Sequence, residues 1–397
     1  MRYLRLLTSG ESHGPALIGV IEGLPAGLKI QADGINVQLR RRQGGYGRGG
    51  RMKIENDSAE IVSGVRWGLT LGSPIAVRIE NRDWKNWTDG MSLSASGQGS
   101  IPAVTRPRPG HADLAGALKY HQDDVRNILE RSSARETAMR VALGSIARIF
   151  LDSFGISIGS YVIRIGSVAM KAGGGAAARR YLDLMKKAEA SPVRCPDRRI
   201  SARMVGLIDR AIKSGNSLGG VFEVFAVGVP AGLGTHVQWD RKLDGRIGQA
   251  IMSIQAIKGV EIGLGFGMAG SDGAEVMDEI FYRKGSAALS GGFFRKTNHA
   301  GGIEGGMSNG MPIVVRAAMK PIPTLRKPLS SVDIRSKKPF RAAYERSDVC
   351  AVPAAAVVAE AMLALVLADA FLEKFGGDSM SETGNNYQAY IRQLQSV

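Results

Sequence analysis

Two of the five histidines in the chain have neighbours that suit proton transfer. His13 lies in GESHG and His111 lies in RPRPGHAD, so small residues flank both and each side chain can project from a turn. Histidine is the side chain that most readily exchanges a proton near neutral pH. Both residues are therefore candidate acids or bases, with a structural role as the open alternative. His121 and His236 lack this setting, and His299 is intermediate.

Residues 40–51, RRRQGGYGRGGR, combine five arginines with five glycines. Glycine lets the backbone turn freely and approach a ligand closely. Arginine carries a permanent charge on a planar fork that suits phosphate and carboxylate. The stretch predicts a cationic wall around a polyanionic small molecule. Taken alone, it also leaves open an RGG-like nucleic-acid segment.

Residues 131–137, RSSARET, are typical of a helix start, where serines cap exposed amides and the helix dipole favours an anion. Arg131 and Arg135 are then one helical turn apart, and both could face one ligand. A capped surface helix is the alternative. Residues 346–348, RSD, repeat the pattern with Asp348, a carboxylate that could serve as base or proton relay. Residues 320–324, KPIPT, predict a rigid extended segment with a cation at its start.

Composition narrows the class of partner. The formal net charge of +16 suits nucleic acid, anionic membranes or anionic metabolites alike, but 6% aromatic residues disfavour base stacking. Cys195 and Cys350 lack any metal spacing, which predicts structural thiols in a reduced, cytoplasmic setting. Residues 352–372 are long and apolar enough for a bilayer, yet Glu360 and Asp369 interrupt them and favour a core helix. We predict no metal site, because no H-E-x-x-H or C-x-x-C motif occurs, and no Rossmann fold.

The chain repeats itself. Residues 64–78 and 302–316 match without a gap, and GLPAGL at 23–28 recurs as GVPAGL at 228–233. Two related α/β halves, about 1–155 and 215–397, are predicted to form one domain with a cleft between equivalent edges. Residues 73–80 and 311–317 predict strands, alanine-rich helices from Ala134 and Ala351 should pack side by side, and residues 173–200 predict a loop and a surface helix.

Eight motifs resemble one known family in order: GESHG, RRQGGYGRG, RPGHAD, RSSARETA, SIQAIKGVE, NHAGGIEGG, KPIPT and RSDVCAVPAA. From Arg2 to about Asp378 the chain is similar to chorismate synthases. The resemblance implies a β-α-β sandwich with an internal pseudo-twofold repeat, a homotetramer, and elimination of phosphate from 5-enolpyruvylshikimate-3-phosphate (EPSP). It also implies reduced FMN, whose chemistry the protein orients and tunes. One departure is His299, where many relatives have arginine.

The resemblance also implies residue roles. His13 would protonate the departing phosphate, His111 would stabilise the reduced flavin near N1, and Asp348 would accept a proton from flavin N5. The implied substrate contacts are Arg42, Arg48, Arg108, Arg135 and Arg346. The implied flavin contacts are Arg131, Ser132, Ser133, Gln255, Ala256, Gly305, Lys320, Pro321, Ile322, Pro323, Thr324 and Arg346.

The remaining expectations concern partners. Arg42 and Arg48 match positions assigned to NADPH in relatives, but substrate binding explains them better, so NADPH is expected at most as a reductant. An external flavin reductase is the other source of reduced FMN. We expect no nucleic acid and no membrane. The rival classes are a basic nucleic-acid-binding protein, another flavin-dependent lyase, and a flavin reductase.

Overall fold

The computed structural model describes residues 2–49, 56–171, 173, 175–285, 288–344 and 347–396. Its helices are α1 (Ala32–Gln43), α2 (Asp113–Lys119), α3 (Arg126–Ser132), α4 (Thr137–Asp152), α5 (Ala178–Glu189), α6 (Arg198–Ser214), α7 (Leu243–Met252), α8 (Gly273–Val276), α9 (Val352–Phe375) and α10 (Met380–Gln395). Short 3-10 turns, among them Ala134–Glu136, lie between them.

Most strands are short and belong to hairpins or to two larger sheets. They are β1 (Arg5–Ser9), β2 (Ala16–Glu22), β3 (Ala59–Ile61), β4 (Val65–Arg66), β5 (Leu69–Thr70), β6 (Ile75–Glu80), β7 (Ser157–Ile165), β8 (Val168–Ala169), β9 (Gly220–Val227), β10 (Ile257–Ile262), β11 (Ile280–Tyr282), β12 (Phe293–Arg295), β13 (Ile303–Glu304), β14 (Met307–Ser308), β15 (Ile313–Met319), β16 (Ser330–Val332) and β17 (Pro339–Arg341). The strands predicted over residues 73–80 and 311–317 are confirmed as β6, which begins two residues later than predicted, and β15, which is shifted by two residues.

The first sheet has the order β1-β2-β6-β3, with antiparallel neighbours throughout. Side chains alternate between its faces. Leu17 of β2 lies opposite Ile79 of β6, and both are fully buried against the helices. On the outer face, Leu7 is 71% exposed and Ile18 is 49% exposed. One face of this sheet therefore belongs to the core and the other is open.

The second sheet repeats this plan with the order β10-β15-β9-β7-β8. Strands β7-β9-β15-β10 correspond to β1-β2-β6-β3, and the repeated sequence motifs lie at matching places. GLPAGL follows β2 as GVPAGL follows β9, and a small hairpin precedes both β6 and β15. The second sheet also includes β7 and β8, which come from the segment between the two predicted halves.

Helices lie between the two sheets. Helix α4 packs on β2 and β6, α9 packs on β7 and β9, and the two helices pack along each other. Gly144 of α4 permits this contact, because a Cβ there would lie 2.5 Å from the Cβ of Ala361. The side-by-side packing of the two alanine-rich helices is confirmed, and the layers form a sheet–helix–sheet sandwich.

Helix α9 is the central element of the core. It is long and apolar enough to cross a membrane, but its apolar window is entirely buried inside the protein. Pro353 in its first turn suits the unpaired amides of a helix start, and Gly376, with φ of 60°, ends it. The interpretation of residues 352–372 as a core helix is therefore confirmed. Cys195 and Cys350 are free and buried, as structural thiols would be.

The prediction for residues 131–137 was wrong in one respect. Arg131 lies in the last turn of α3, whereas Ser133 is extended, with φ of −62° and ψ of 141°. The side chain of Ser133 caps the next turn by accepting a hydrogen bond from the Arg135 amide. Because the chain breaks at this cap, Arg131 and Arg135 are not on one helical face.

The expectation for residues 173–200 is confirmed where the chain is described. Helix α5 begins at Ala178 and covers the outer face of the second sheet. Its Tyr181 is buried against Phe225 of β9, with ring centroids 5.2 Å apart. A loop over residues 190–197 then leads to α6, which Asp197 caps through two backbone amides.

Candidate active site

His13 lies in the loop between β1 and β2 and is anchored by Glu130 of α3. The Nδ1 atom of His13 is 2.8 Å from Glu130 Oε1, and the His13 backbone amide donates to Oε2 at 2.8 Å. The imidazole also packs on Trp87, with ring centroids 4.2 Å apart. The Glu130 side chain is only 2% exposed, whereas that of His13 is 14% exposed. The histidine is thus held firmly while keeping a partly open edge.

Glu130 remains a carboxylate although it is buried. Burial alone would raise its pKa, but the hydrogen bonds and charge of His13, together with Arg126, outweigh burial and lower the pKa of Glu130 below its ordinary value. Arg126 Nη1 lies 3.3 Å from Glu130 Oε1, and its guanidinium stacks over Trp87 at 4.8 Å. Arginine, carboxylate, imidazole and indole therefore form one packed group.

His111 shows the same arrangement with different residues. Its Nδ1 is 2.5 Å from Oδ1 of Asp113, the first residue of α2. Arg108 binds the same carboxylate through Nε at 2.8 Å and Nη2 at 3.0 Å. Burial would raise the pKa of Asp113, but the bonds from His111 and Arg108 lower it well below its usual range. The His111 side chain is 18% exposed.

The segment 320–324 is joined to the His111 loop. Arg108 Nη1 donates to Oγ1 of Thr324 at 3.0 Å, and Thr324 is buried. The Lys320 ammonium group donates to the carbonyl of Gly110. Burial and the charge of Lys258 lower the pKa of Lys320. The predicted flavin segment and the predicted catalytic histidine therefore lie side by side.

Arg42 and Arg135 meet at one buried carboxylate, Asp57. Arg42 Nη1 is 3.4 Å from Asp57 Oδ2, and Arg135 Nη1 binds Oδ1. Arg135 Nε also donates to Asn81 Oδ1 at 2.9 Å, and Asn81 Nδ2 donates to the carbonyls of Glu11 and Gly14 at 3.1 and 2.8 Å. The arginine pair is thus connected to the His13 loop. Burial lowers the pKa of Arg42 to about 10, against the favourable charge of Asp57.

Arg48 and Asp348 are paired where the glycine-rich loop approaches the start of α9. Asp348 Oδ1 accepts from the Gly49 amide at 2.6 Å, and Oδ2 lies 3.4 Å from Arg48 Nη1. Gly47 has φ of 88°, and a Cβ there would lie 2.8 Å from Ile208. The close approach requires glycine at that position. Arg346, predicted to contact both substrate and flavin, lies outside the described residues.

Arg131 lies at another wall of the site. Its Nη2 donates to the carbonyl and hydroxyl of Thr8 at 2.7 and 2.8 Å, and Nη1 donates to the carbonyl of Gly10 at 3.2 Å. The side chain is 42% exposed. Ser133 Oγ accepts from Ser12 Oγ at 3.1 Å, and Ser132 Oγ donates to its own helix. Arg131 and Ser133 therefore both contact the chain just before His13.

Gln255 and Ala256 follow α7, and Ala256 has φ of 67°, uncommon for a residue with a Cβ. The Ala256 carbonyl accepts from the Lys320 amide at 2.9 Å. Gln255 Nε2 donates to Glu136 at 3.2 Å, but its Oε1 is buried without a hydrogen-bond partner among the described residues. A buried orphan acceptor is costly, so this side chain is suited to a ligand donor.

Most of the predicted site is therefore continuous. Ser347 Oγ donates to the carbonyl of Thr324 at 3.2 Å, which connects the Asp348 loop to the His111 cluster. Arg42 lies within electrostatic reach of both Arg48 and Asp348. Gly305 is the exception: it turns the β13–β14 hairpin near His236, and no contact in the described part of the chain joins it to the two histidine groups.

The sequence reasoning missed several residues that organise this site. Asp113 stands two positions after His111 in the motif RPRPGHAD, so its contact with His111 could have been predicted from the sequence. Glu130 immediately precedes Arg131, but nothing in the spacing indicated that it faces His13. Asp57, Asn81 and Trp87 carried no signal, because tertiary packing alone brings them to the site.

Fold and site together are those of an α/β protein with an arginine-lined site in which two histidines face buried carboxylates. A profile of the family described as chorismate synthase matches residues 4–372. The chain is 58% identical to the chorismate synthase of Geobacter metallireducens over 395 residues, covering 99% of this chain and 100% of the relative. It is 56% identical to that of Aquifex aeolicus over 400 residues, covering 100% and 99%. A crystal structure of chorismate synthase superposes with a TM-score of 0.82 at 48% identity, covering 100% of both chains.

The chain belongs to the chorismate synthase family. Its function is accordingly that of a lyase acting on phosphates, which eliminates phosphate from EPSP in the last step of the shikimate pathway and so serves aromatic amino-acid biosynthesis. The family uses reduced flavin.

Proposed function

We propose that His13, His111 and Asp348 carry the proton transfers of this elimination, beside a reduced FMN held by the adjoining loops. The observation that supports this most is that two imidazoles, each set against a buried carboxylate, belong to one connected network of arginines and carboxylates. Such an arrangement both binds an anion and supplies a proton to its leaving oxygen.

The residues present fit a flavin. Arg131 and Lys320 offer cations, Ser132 and Ser133 offer hydroxyl groups, and the orphan Oε1 of Gln255 offers an acceptor for a ring N–H. With Ala256, residues 321–324 and Arg346, these residues would hold FMN. Reduced FMN, when bound, supplies electron density that promotes departure of phosphate and is restored at the end of the turnover. Gly305, apart from the cluster within one chain, stays a predicted contact without support here.

Three groups perform the protein's part of the reaction. His13 gives a proton to the departing phosphate, and His111, beside Lys320, stabilises negative charge on the cofactor. Asp348 accepts a proton during removal of the C6 hydrogen of EPSP. Each is partly exposed and each is held by a neighbour of opposite charge or by a backbone amide.

The substrate carries a phosphate and two carboxylates, which the arginines bind. Arg48 and Arg108 line the Asp348 and His111 sides, and Arg346 completes the predicted set. Arg42 and Arg135 differ, because both face Asp57. For these two arginines to bind substrate, an anionic group of EPSP has to share their guanidinium groups with the Asp57 carboxylate or displace that carboxylate from them.

A small-molecule site explains residues 40–51 better than nucleic-acid binding does. Arg41 binds Glu189 and Glu360, Arg42 binds Asp57, and Arg48 pairs with Asp348. Their side chains are between 4% and 15% exposed, whereas a segment that tracks a phosphate backbone presents its arginines to solvent. The geometry over residues 40–49 supports a segment folded into the protein, made of the end of α1 and the glycine-rich loop after it.

We further propose a cytoplasmic homotetramer that needs neither nucleic acid nor membrane. The exposed apolar side chains on the outer face of the first sheet, Leu7 and Ile18 among them, support association of subunits there. NADPH would act only as reductant of the flavin, directly or through an external flavin reductase. Light scattering of the purified protein would test the tetramer, and a monomer at micromolar concentration would exclude it.

Replacement of His13 tests the assigned proton donor. His13→Gln should lower the single-turnover rate of phosphate release from EPSP by about 10²- to 10⁴-fold, because a positioned general acid contributes that much. Affinity for EPSP and reduced FMN should change little. The control is His121→Asn, at an exposed position with φ of 52° that asparagine tolerates. A His13→Gln rate within a fewfold of wild type would make His13 structural.

A further inference from the structure

The carboxylate of Glu130 determines which nitrogen of His13 carries hydrogen. Nδ1 lies 2.8 Å from Oε1 and 3.1 Å from Oε2 of this side chain. An ionised carboxylate only accepts hydrogen bonds, so Nδ1 has to be the donor. The neutral imidazole is thereby placed in the Nδ1–H tautomer, and proton exchange falls to Nε2.

Several contacts keep the ring in this orientation. The backbone amide of His13 donates to the same carboxylate, and the Ser12 amide donates to the Glu130 carbonyl at 3.1 Å. Trp87 packs on the imidazole face, and Arg126 both stacks on Trp87 and contacts Glu130. Rotation of the ring that would exchange Nδ1 and Nε2 breaks the bond to Glu130 and leaves a buried charge with one partner fewer.

We propose that Glu130 is the positioning residue of the proton donor: it fixes the Nδ1–H tautomer of His13 and makes Nε2 the atom that protonates the departing phosphate. This inference rests on the proposed function of His13. In the step, the Nε2–H bond of the imidazolium breaks, its electron pair stays on nitrogen, and an O–H bond forms on phosphate. The C3–O bond breaks with its electron pair going to that oxygen, and the electron pair of the C6–H bond, whose proton is lost, enters the new conjugated double bonds of the ring.

Glu130 stabilises His13 both before and after the proton transfer. Its negative charge stabilises the imidazolium before the transfer, and its hydrogen bond to Nδ1–H persists in the neutral imidazole afterwards. Without the Glu130 carboxylate, the neutral ring of His13 is free to adopt the Nε2–H tautomer. The imidazolium that forms when the ring is protonated again is also less well oriented. The expected defect is therefore in the chemical step rather than in substrate binding.

Nitrogen-15 NMR of the imidazole rings reads the tautomer directly. The chain has five histidines, so a histidine-labelled sample gives a simple spectrum in which His13→Gln identifies the His13 signals. Under conditions where the rings are neutral, wild-type His13 should be mainly Nδ1–H. In Glu130→Gln, whose amide can donate to Nδ1, the Nε2–H form should increase. A wild-type His13 that is mainly Nε2–H would overturn the inference without any variant.

Asp113→Asn is the matched control, because Asp113 stands to His111 as Glu130 stands to His13. It should shift the His111 signals and leave those of His13 unchanged. Glu130→Asp, which keeps the charge on a shorter side chain, should recover part of the Nδ1–H population and of the rate. This variant also serves if Glu130→Gln does not fold.

Single-turnover kinetics then connect the tautomer with the reaction. Glu130→Gln should reduce phosphate release by about 10²-fold or more with EPSP affinity within a fewfold of wild type. A changed tautomer with a wild-type rate, or a lost rate with an unchanged tautomer, would each refute the positioning role. If the wild-type protein releases no phosphate from EPSP, the proposed function fails instead, and the NMR result still stands by itself.

Discussion

At the scale of single residues, the site is built from histidines whose Nδ1 atoms are committed to carboxylates. Glu130 and Asp113 are each supported by an arginine, and each keeps its pKa low despite burial because the bonds it accepts outweigh desolvation. The proposed proton exchange of each ring is thereby assigned to Nε2. Asp348 differs, since its partners are a backbone amide and one arginine at 3.4 Å.

Asp348 should be replaceable without loss of the site. In Asp348→Asn, asparagine can still accept from the Gly49 amide but cannot take up a proton, so EPSP and FMN should bind while turnover falls by about 10²-fold or more. Binding is measured by flavin fluorescence and turnover by phosphate release under anaerobic conditions. Wild-type turnover in this variant would remove Asp348 from the catalytic set.

Much of this residue-scale picture could be predicted from the sequence, and part of it could not. His13, His111 and Asp348 stand in short motifs whose local chemistry is visible along the chain. Glu130 faces His13 only because α3 folds back onto the loop after β1, and Asp57 joins two arginines from distant elements. Partners that are set by tertiary packing leave no spacing to recognise. The helix break at Ser133 was missed because Arg131 was assigned to the helix that the serines cap, whereas it belongs to the last turn of the preceding helix α3.

At the scale of elements, the contact between α4 and α9 depends on a missing side chain. Gly144→Ala should lower the free energy of unfolding by about 1–3 kcal/mol, although alanine favours helices, because the new Cβ would overlap Ala361. The matched control is Gly206→Ala in α6, where a new Cβ would have no neighbouring atom within 4 Å. This substitution should raise the free energy of unfolding by up to about 1 kcal/mol. Urea unfolding measures both. Equal stabilisation by the two substitutions would contradict the packing.

Helix α9 also carries a buried charge that connects it to α1 and α4. Glu360 binds Arg41, Arg148 and Arg194. Burial would raise its pKa, but the three arginines outweigh burial and lower the pKa to about 2. A folded-state pKa below the unfolded value of 4.5 means that the stabilisation is present above pH 4.5 and is lost as the pH falls towards 2. That shift corresponds to about 3 kcal/mol.

Glu360→Gln should therefore lower the free energy of unfolding by about 3–5 kcal/mol near pH 7, since Arg41, Arg148 and Arg194 lose a shared buried carboxylate, while Arg41 and Arg194 keep their pairs with Glu189. It should also flatten the dependence of stability on pH below about 4.5. Glu60→Gln is the control, because Glu60 is 64% exposed and its pair with Arg78 should contribute about 0–1 kcal/mol. Urea unfolding at several pH values checks this. Equal losses in the two variants would refute the buried network.

At the scale of the whole molecule, the repeated motifs mark two sheets of matching strand order on either side of the helices. The repeat was visible in the sequence because GLPAGL and the hairpin preceding β6 recur with their turns intact. That β7 belongs to the second sheet could not be predicted from the sequence, because β7 shares no motif with its counterpart β1. Loops that extend from the sandwich hold His13, His111 and Asp348, whereas Arg42 lies in α1 and Arg131 in α3, so the helices supply part of the site themselves.

The proposed activity of this chain is a redox-neutral elimination with a reduced flavin. The most direct measurement is an anaerobic assay of the purified protein with EPSP and photoreduced FMN, following phosphate, chorismate and flavin absorbance together. We expect equal amounts of phosphate and chorismate, flavin that is still reduced at the end, and no product when flavin is omitted. Phosphate released at the same rate without flavin, or flavin oxidised in proportion to product, would contradict it.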